Sequence, residues 1–281
     1  MSVSWWNDHS KESKTTFDII IIGGGIAGLS TAYWLEQEDS SLKLAIIDKY
    51  EIGSGATGRN AGFVTCGSVE HYNRLVEHFG LEQALQIWSF GETNLKLLET
   101  EIIGKEHLDL EYNQTGSFSL ASTDSEFKEL INSQEIMYKN GIQTEVLQEK
   151  EIKERIGAKG FVGGIKYLDD ASINPIKLLH KIKEKLKNTI IFENNELIEI
   201  KNAGDQRLLK TNKQILNATS IIYATNAYSA QLDSYFSDKI TPTRGQIMLT
   251  APVPMFMEGP CYANFVLDYF RQLTNGVRIK Q

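Results

Sequence analysis

The chain has 281 residues, with 29 Lys and Arg against 36 Asp and Glu, for a formal charge of -7. That acidic balance leaves no basic footprint for nucleic acid. A content of 41% hydrophobic and 23% charged residues excludes a disordered or membrane-embedded class, and the length allows one large domain or two intertwined ones.

Residues 1–16, MSVSWWNDHSKESKTT, are polar and lack the apolar core of a signal peptide. They read as an N-terminal arm whose Trp5 and Trp6 cover part of the body. No run reaches the length of a membrane span. Cys66 and Cys261 have neither disulfide nor metal spacing, which fits a reducing, cytoplasmic address. His9, His71, His78, His107 and His180 are scattered without ligand spacing, so no metal site is expected.

Residues 17–35 read FDIIIIGGGIAGLSTAYWL: an apolar strand, a turn of the form Gly23-x-Gly25-x-x-Gly28, then a helix. A second apolar strand, Leu42 to Ile47, ends on Asp48. This is the pattern of a dinucleotide site. The first glycine makes the tight turn, the second lets the backbone approach a pyrophosphate, and the third lets helix and strand pack closely. Phosphates then meet the unpaired N–H groups and positive dipole of the helix N-terminus. An acidic Asp48 suits a free ribose hydroxyl rather than a 2'-phosphate, which disfavours NADP and leaves FAD or NAD.

Glycines at 53, 55, 58 and 62 break any periodicity over residues 51–64, so a loop is expected there. Helical spacing of apolar residues over 70–103 predicts two helices broken near Gly80. Segments 108–112, 116–121 and 160–167, around a helix over 125–140, suggest an inserted antiparallel sheet. The motif SINP opens a helix over 172–187, with Asn174 as N-cap and Pro175 in the first helical position. Strands are expected at 190–193, 197–200, 215–216 and 220–224; the last is fully apolar, as a buried parallel strand would be. ITPTRGQIMLT and CYANFVLDYFRQL read as strands returning to the inserted sheet.

In this order, the glycine turn, GATGRNAGF at 55–63, DDASINPIKLLHKI at 169–182, IIYATNAYS at 221–229, PTRGQ at 242–246 and LDYFRQLTNGVRI at 267–279 resemble the FAD-dependent D-amino acid oxidase superfamily. The branch with glycine oxidase, D-amino acid dehydrogenase and gamma-glutamylputrescine oxidase is the most similar, and Trp5, Trp6 and LDYFR look most like the last of these. The resemblance implies an α/β fold: a Rossmann-like FAD-binding domain with a parallel sheet, at 17–100 and 150–235. A mainly antiparallel α+β substrate domain would be inserted, at 101–149 and 236–281.

It further implies that FAD is held by Gly23, Gly25, Ile26, Ala27 and Gly28 at the pyrophosphate, and by Asp48 and Lys49 at the ribose. Gly55, Ala56, Thr57, Gly58, Arg59, Asn60, Ala61, Gly62 and Phe63 would wrap pyrophosphate, ribityl chain and ring. The Leu197 backbone would meet adenine, Ala224, Thr225 and Asn226 would stand at a strand end, and Gln246 would lie beside the ring. Asn226 stands where the family usually has glycine. Arg244, Tyr262, Tyr269 and Arg271 are candidates for the substrate pocket, since aromatic rings can wall a substrate and an arginine can clamp a carboxylate.

The implied reaction is oxidation of the C–N bond of a small amine or amino acid by hydride transfer to flavin, with the cofactor carrying the chemistry and no general base named. Family members continue past the position of Gln281. The resemblance therefore also implies a chain incomplete at its carboxyl end, and a second reading in which it is a flavin-binding remnant without turnover.

Overall fold

The computed structural model describes residues 16–264, 266–274 and 278–280. Trp5, Trp6 and most of the expected N-terminal arm lie outside the described residues, as do Asn275 to Val277 of the last motif. In chain order, β1 (Thr16–Ile22) leads into α1 (Ile26–Glu38) and β2 (Leu44–Ile47). A short ribbon strand β3 (Phe63–Val64) precedes the helices α2 (Val69–Phe79) and α3 (Leu81–Leu97). Then come β4 (Ser117–Ala121), α4 (Asp124–Lys139), β5 (Thr144–Gln148), α5 (Glu149–Ile156), β6 (Gly163–Tyr167), β7 (Ala171–Ser172) and α6 (Pro175–Lys185). Strands β8 (Ile190–Phe192), β9 (Leu197–Ala203), β10 (Gln206–Thr211) and β11 (Ile215–Tyr223) follow, then β12 (Met248–Leu249), β13 (Cys261–Ala263), β14 (Asp268–Gln272) and β15 (Arg278–Lys280).

The chain divides into two compact units, residues 1–59 with 179–244, and residues 60–178 with 245–281. The first is built on a six-stranded sheet in the order β8-β2-β1-β11-β10-β9. Its first four strands run parallel and the β9–β10 hairpin is antiparallel. All four residues of β2 are buried, as are Ile20, Ile21 and Ile22 of β1, because parallel strands are covered on both faces. Helix α1 buries Gly28, Leu29, Ala32, Tyr33 and Glu36, a stripe at helical spacing. Glu36 is only 6% exposed, and its carboxylate accepts from Lys187 N, Asn188 N, Thr189 N and Thr189 Oγ1, tying the helix to the turn before β8.

The second unit carries a seven-stranded sheet in the order β12-β15-β14-β13-β4-β6-β5, antiparallel except between β13 and β4. Helices α2, α3 and α4 close one core around Val69, Tyr72, Ala84, Trp88, Leu130, Met137, Ile165 and Tyr167. Residues 60–100 and 150–178, expected in the nucleotide-binding domain, thus pack in this unit: Tyr72 and Trp88 share their core with Ile165 and Tyr167 of β6.

Three local expectations are corrected. Residues 108–112 form turns rather than a strand; the two-residue spacing is met by burying Leu110 and Tyr112 on one side, while Leu108 is 91% exposed. Of ITPTRGQIMLT only Met248 and Leu249 form a strand, since Pro242 and Gly245 interrupt any ladder. The 51–64 loop contains a 3-10 turn, Ala56–Arg59, and ends in β3.

Candidate functional site

In the first unit, the register of three neighbouring parallel strands brings Gly23, Asp48 and Ala224 level. Ile22 pairs with Ile47 of β2 and with Tyr223 of β11, so the next residue of each stands at the carboxyl edge of the sheet. Gly23 N donates to Ile47 O at 2.8 Å, and Ala224 N donates to Ile22 O at 2.8 Å. A Cβ on Gly23 would lie 2.5 Å from Ala224 O, and one on Gly28 would lie 1.9 Å from Gly23 O. Strand, turn and helix therefore meet in direct backbone contact.

Helix α1 begins there with Gly25 as its cap residue, which supplies no side chain to its first N–H groups. Thr57 Oγ1 accepts from Ile26 N at 3.0 Å, and Ile26 and Ala27 are exposed. The helix N-terminus is thus open to an anion. Asp48 Oδ2 accepts from Gly24 N at 2.7 Å and Oδ1 from Tyr50 N at 2.8 Å, so the carboxylate pins the glycine turn. Lys49 turns to Glu196, 2.8 Å away, and this partner raises its pKa. Gly55 and Gly58 are exposed with Ala56 on the same turn, and Arg59 is exposed with no acidic partner among the described residues. Leu197 opens the edge strand β9 with its side chain in the core.

Asn226 adopts φ +49°, a left-handed conformation that asparagine tolerates better than other residues with a side chain. That is the physical reason an asparagine can stand in a position that resemblance assigns to glycine. Thr225 Oγ1 and Ser229 Oγ lie 2.8 Å apart, and Ser229 Oγ donates to Asn226 O at 2.9 Å, closing the turn after β11. Arg244 is exposed at the end of this unit.

In the second unit, Asn60 Oδ1 accepts from Gly62 N at 2.6 Å, and Ala61 is buried beside it. Phe63 packs edge-on against Tyr262 and Tyr269, with ring centroids 5.2 and 5.5 Å away. Tyr262 OH lies 2.9 Å from Thr65 Oγ1, and burial pushes its pKa up. Gln246 is exposed. Arg271 is only 5% exposed: Nη2 donates to Ile173 O at 2.9 Å, and burial pulls its pKa down to about 10 while Glu111 opposes the shift. Its bond to Ile173 O uses one of its five N–H donors.

Sequence reasoning passed over a polar network beside these residues. Asp170 is fully buried, accepting from Ser117 Oγ at 2.6 Å and Cys66 N at 3.1 Å. Tyr167 OH donates to Glu92 Oε1 at 2.9 Å and lies 3.8 Å from Cys66 Sγ, whose thiol burial pushes up to about 12. The available signal was the acidic pair Asp169-Asp170 ahead of an apolar-flanked SINP, an odd place for a carboxylate unless it has a job inside.

The family model described as DAO, FAD dependent oxidoreductase, matches residues 18–280. Over 270 residues the chain is 25% identical to the probable oxidoreductase OrdL of Haemophilus influenzae, covering 90% of this chain and 62% of that protein. It is 22% identical to the gamma-glutamylputrescine oxidoreductase of Escherichia coli, again covering 91% of this chain and 62% of the relative. The chain therefore spans less than two thirds of the length of these relatives. The crystal structure of glycine oxidase from Bacillus cereus superposes with a TM-score of 0.74 at 20% identity, over 94% of this chain and 70% of that one.

Proposed function

Because the chain belongs to the DAO family of FAD-dependent oxidoreductases, whose model matches residues 18–280, we propose that it holds FAD and oxidises the C–N bond of a small amine or amino acid to an imine. The observation that carries this reading is the level placement of Gly23, Asp48 and Ala224 beside a helix N-terminus whose cap residue, Gly25, has no side chain. Those residues fit the ADP half of the cofactor: the N–H groups of Ala27 and Gly28, which Thr57 leaves unengaged, would receive the pyrophosphate, and Arg59 would add charge. Each Asp48 oxygen already accepts one backbone N–H and keeps a lone pair for a ribose hydroxyl. Lys49 is engaged by Glu196, so its part at the ribose falls to backbone atoms.

When bound, FAD supplies the two-electron acceptor for the hydride leaving the substrate carbon. The protein's share is orientation and exclusion of water. Phe63, Tyr262 and Tyr269 form an aromatic group suited to the ring and an apolar amine chain. Arg271, whose Nη2 donates to Ile173 O, and exposed Arg244 are the candidates for a carboxylate clamp. The two free cysteines suit a reducing, cytoplasmic address.

Purified protein should show flavin absorbance, or gain it on reconstitution with FAD, and should bleach anaerobically with its amine. The burial of Arg271, only 5% exposed, favours a second reading, flavin binding without turnover. A yellow protein that no amine bleaches would support it, and a colourless protein that FAD cannot reconstitute would sink both.

A further inference from the structure

Phe63 sits on a ribbon too short to hold itself. Strands β3 and β7 contribute two residues each, pairing Phe63 with Ser172 and Val64 with Ala171, and Ile173 N donates to Gly62 O at 2.8 Å. Each end of the ribbon meets a buried ionisable side chain. At one end Asp170 accepts from Cys66 N through Oδ1 and from Ser117 Oγ through Oδ2, and Gly116 N donates to the Asp170 carbonyl at 2.9 Å. Ser117 belongs to β4, inside the seven-stranded sheet, so this end is tied to a rigid element. At the other end Arg271, reaching from β14, donates to Ile173 O, and its Nη2 lies 3.0 Å from where a Gly62 Cβ would be. Its buried Nε has no hydrogen-bond partner among the described residues. Between the two clamps, Phe63 meets Tyr262 and Tyr269, and Thr65 meets Tyr262 OH.

Burying an ionisable group is costly unless it is well satisfied, and an apolar pair would fill the same space without that cost. Two such groups at opposite ends of one ribbon, each bonded to that ribbon's backbone, mark a demand on its position. We propose that Asp170 and Arg271 are positioning residues for the flavin-ring face of this unit, fixing the Gly62–Cys66 ribbon from both ends so that Phe63 is held against Tyr262 and Tyr269. The assignment to the ring rests on the FAD reading above.

The groups facing Asp170 are Ser117 on β4, Cys66 after β3, Tyr167 on β6, Glu92 on α3, Tyr262 on β13, and Tyr112 and Asp169; none is a cation. Burial without a cation raises its pKa to about 8. The bonds from Ser117 Oγ and Cys66 N oppose that shift, so they favour the ionised carboxylate while burial disfavours it. Asparagine keeps an oxygen for Cys66 N and offers its amide N–H to Ser117 Oγ, without a titration.

FAD carries the isoalloxazine ring and ADP does not, so calorimetric titration of the full chain with each isolates the ring's share of binding, while urea unfolding reads general damage. Asp170→Ala and Arg271→Gln should each weaken FAD about ten-fold or more, and leave ADP within about two-fold. Asp170→Asn should keep FAD affinity within about two-fold of the parent chain. Equal losses for ADP and FAD, undiminished FAD binding in Asp170→Ala and Arg271→Gln, or a loss in Asp170→Asn as large as in Asp170→Ala would each overturn the proposal. If the parent chain binds ADP but not FAD, the FAD reading fails by itself. Amide exchange over residues 62–66 then decides the clamps: faster exchange in Asp170→Ala and Arg271→Gln, with protection retained in Asp170→Asn, supports them, and unchanged exchange refutes them.

Discussion

Replacing Gly28 with alanine tests whether the nucleotide turn depends on backbone contact between α1 and β1. The added Cβ would stand 1.9 Å from Gly23 O, 3.1 Å from Gly23 C and 3.4 Å from Ile21 Cγ2. Ordinary contact needs about 3.2 Å, so the helix start must retreat by about 1.3 Å, and every neighbour in the way is backbone or core. Overpacking of this kind costs about 1–3 kcal/mol, offset by the better helix propensity of alanine, worth at most about 1 kcal/mol. A net loss of about 1–2 kcal/mol is expected in urea unfolding. ADP affinity should fall further than stability, because the N–H groups of Ile26 to Gly28 move away from the level of Asp48 and Ala224. An alanine variant with parental midpoint and parental ADP affinity would refute the contact and the anion site together.

Three further outcomes follow from named interactions. Glu36→Ala removes four hydrogen bonds to the turn before β8 and should destabilise by about 3–5 kcal/mol in urea melts, since buried charged acceptors leave unpaired donors behind. Although its burial acts to raise the Glu36 pKa, those bonds leave it lowered from 4.5; its stabilisation is present above that value and is lost as pH falls through the lowered one, which acid titration of parent and Glu36→Gln would show. Asn226→Gly should be neutral, while Asn226→Ala should cost about 1 kcal/mol at φ +49°, read from thermal melts. Asp48→Ala should release Gly24 N and Tyr50 N and lower both stability and ADP affinity, whereas Lys49→Ala, which breaks only an exposed pair with Glu196, should change stability by no more than about 1 kcal/mol.

The parallel sheet was legible because Phe17 to Ile22, Leu44 to Ile47 and Ile221 to Ala224 read as apolar runs bounded by glycine or polar turns, although only the first two are mostly buried and Ile221 to Ala224 are half-buried. The Asn174 cap was legible for a local reason: its Oδ1 accepts from Ile176 N and Lys177 N at 3.2 Å. Strand β10 was not, because QRLLKT is a half-exposed member of a hairpin whose partner β9 is a mostly exposed edge, and neither alternates cleanly. Strand β5 and helix α5 were hidden by their junction, where one run of polar residues ends the strand and caps the helix through Gln148 and Glu151. Arg271 could be singled out as a functional arginine, but its partner is a backbone carbonyl 98 positions away, which no local pattern encodes.

Asp48 shows how one residue answers to both fold and site. Its position at the end of a buried strand follows from β2 running out of apolar residues, and the parallel register with β1 places it beside the glycine turn. There it accepts from Gly24 N and Tyr50 N, while its own carbonyl accepts from Asn195 N at 2.8 Å. A carboxylate holding two backbone donors is already oriented before any ligand arrives, so a ribose hydroxyl meeting its remaining lone pairs would pay little to organise it. The same bonds make the turn rigid, which keeps the N–H groups of α1 aimed at one place. An asparagine at position 48 could serve only one of the two backbone donors with its single oxygen, so Asp48→Asn should weaken ADP even where the fold survives, and equal ADP affinity in the two proteins would separate the turn's geometry from its binding.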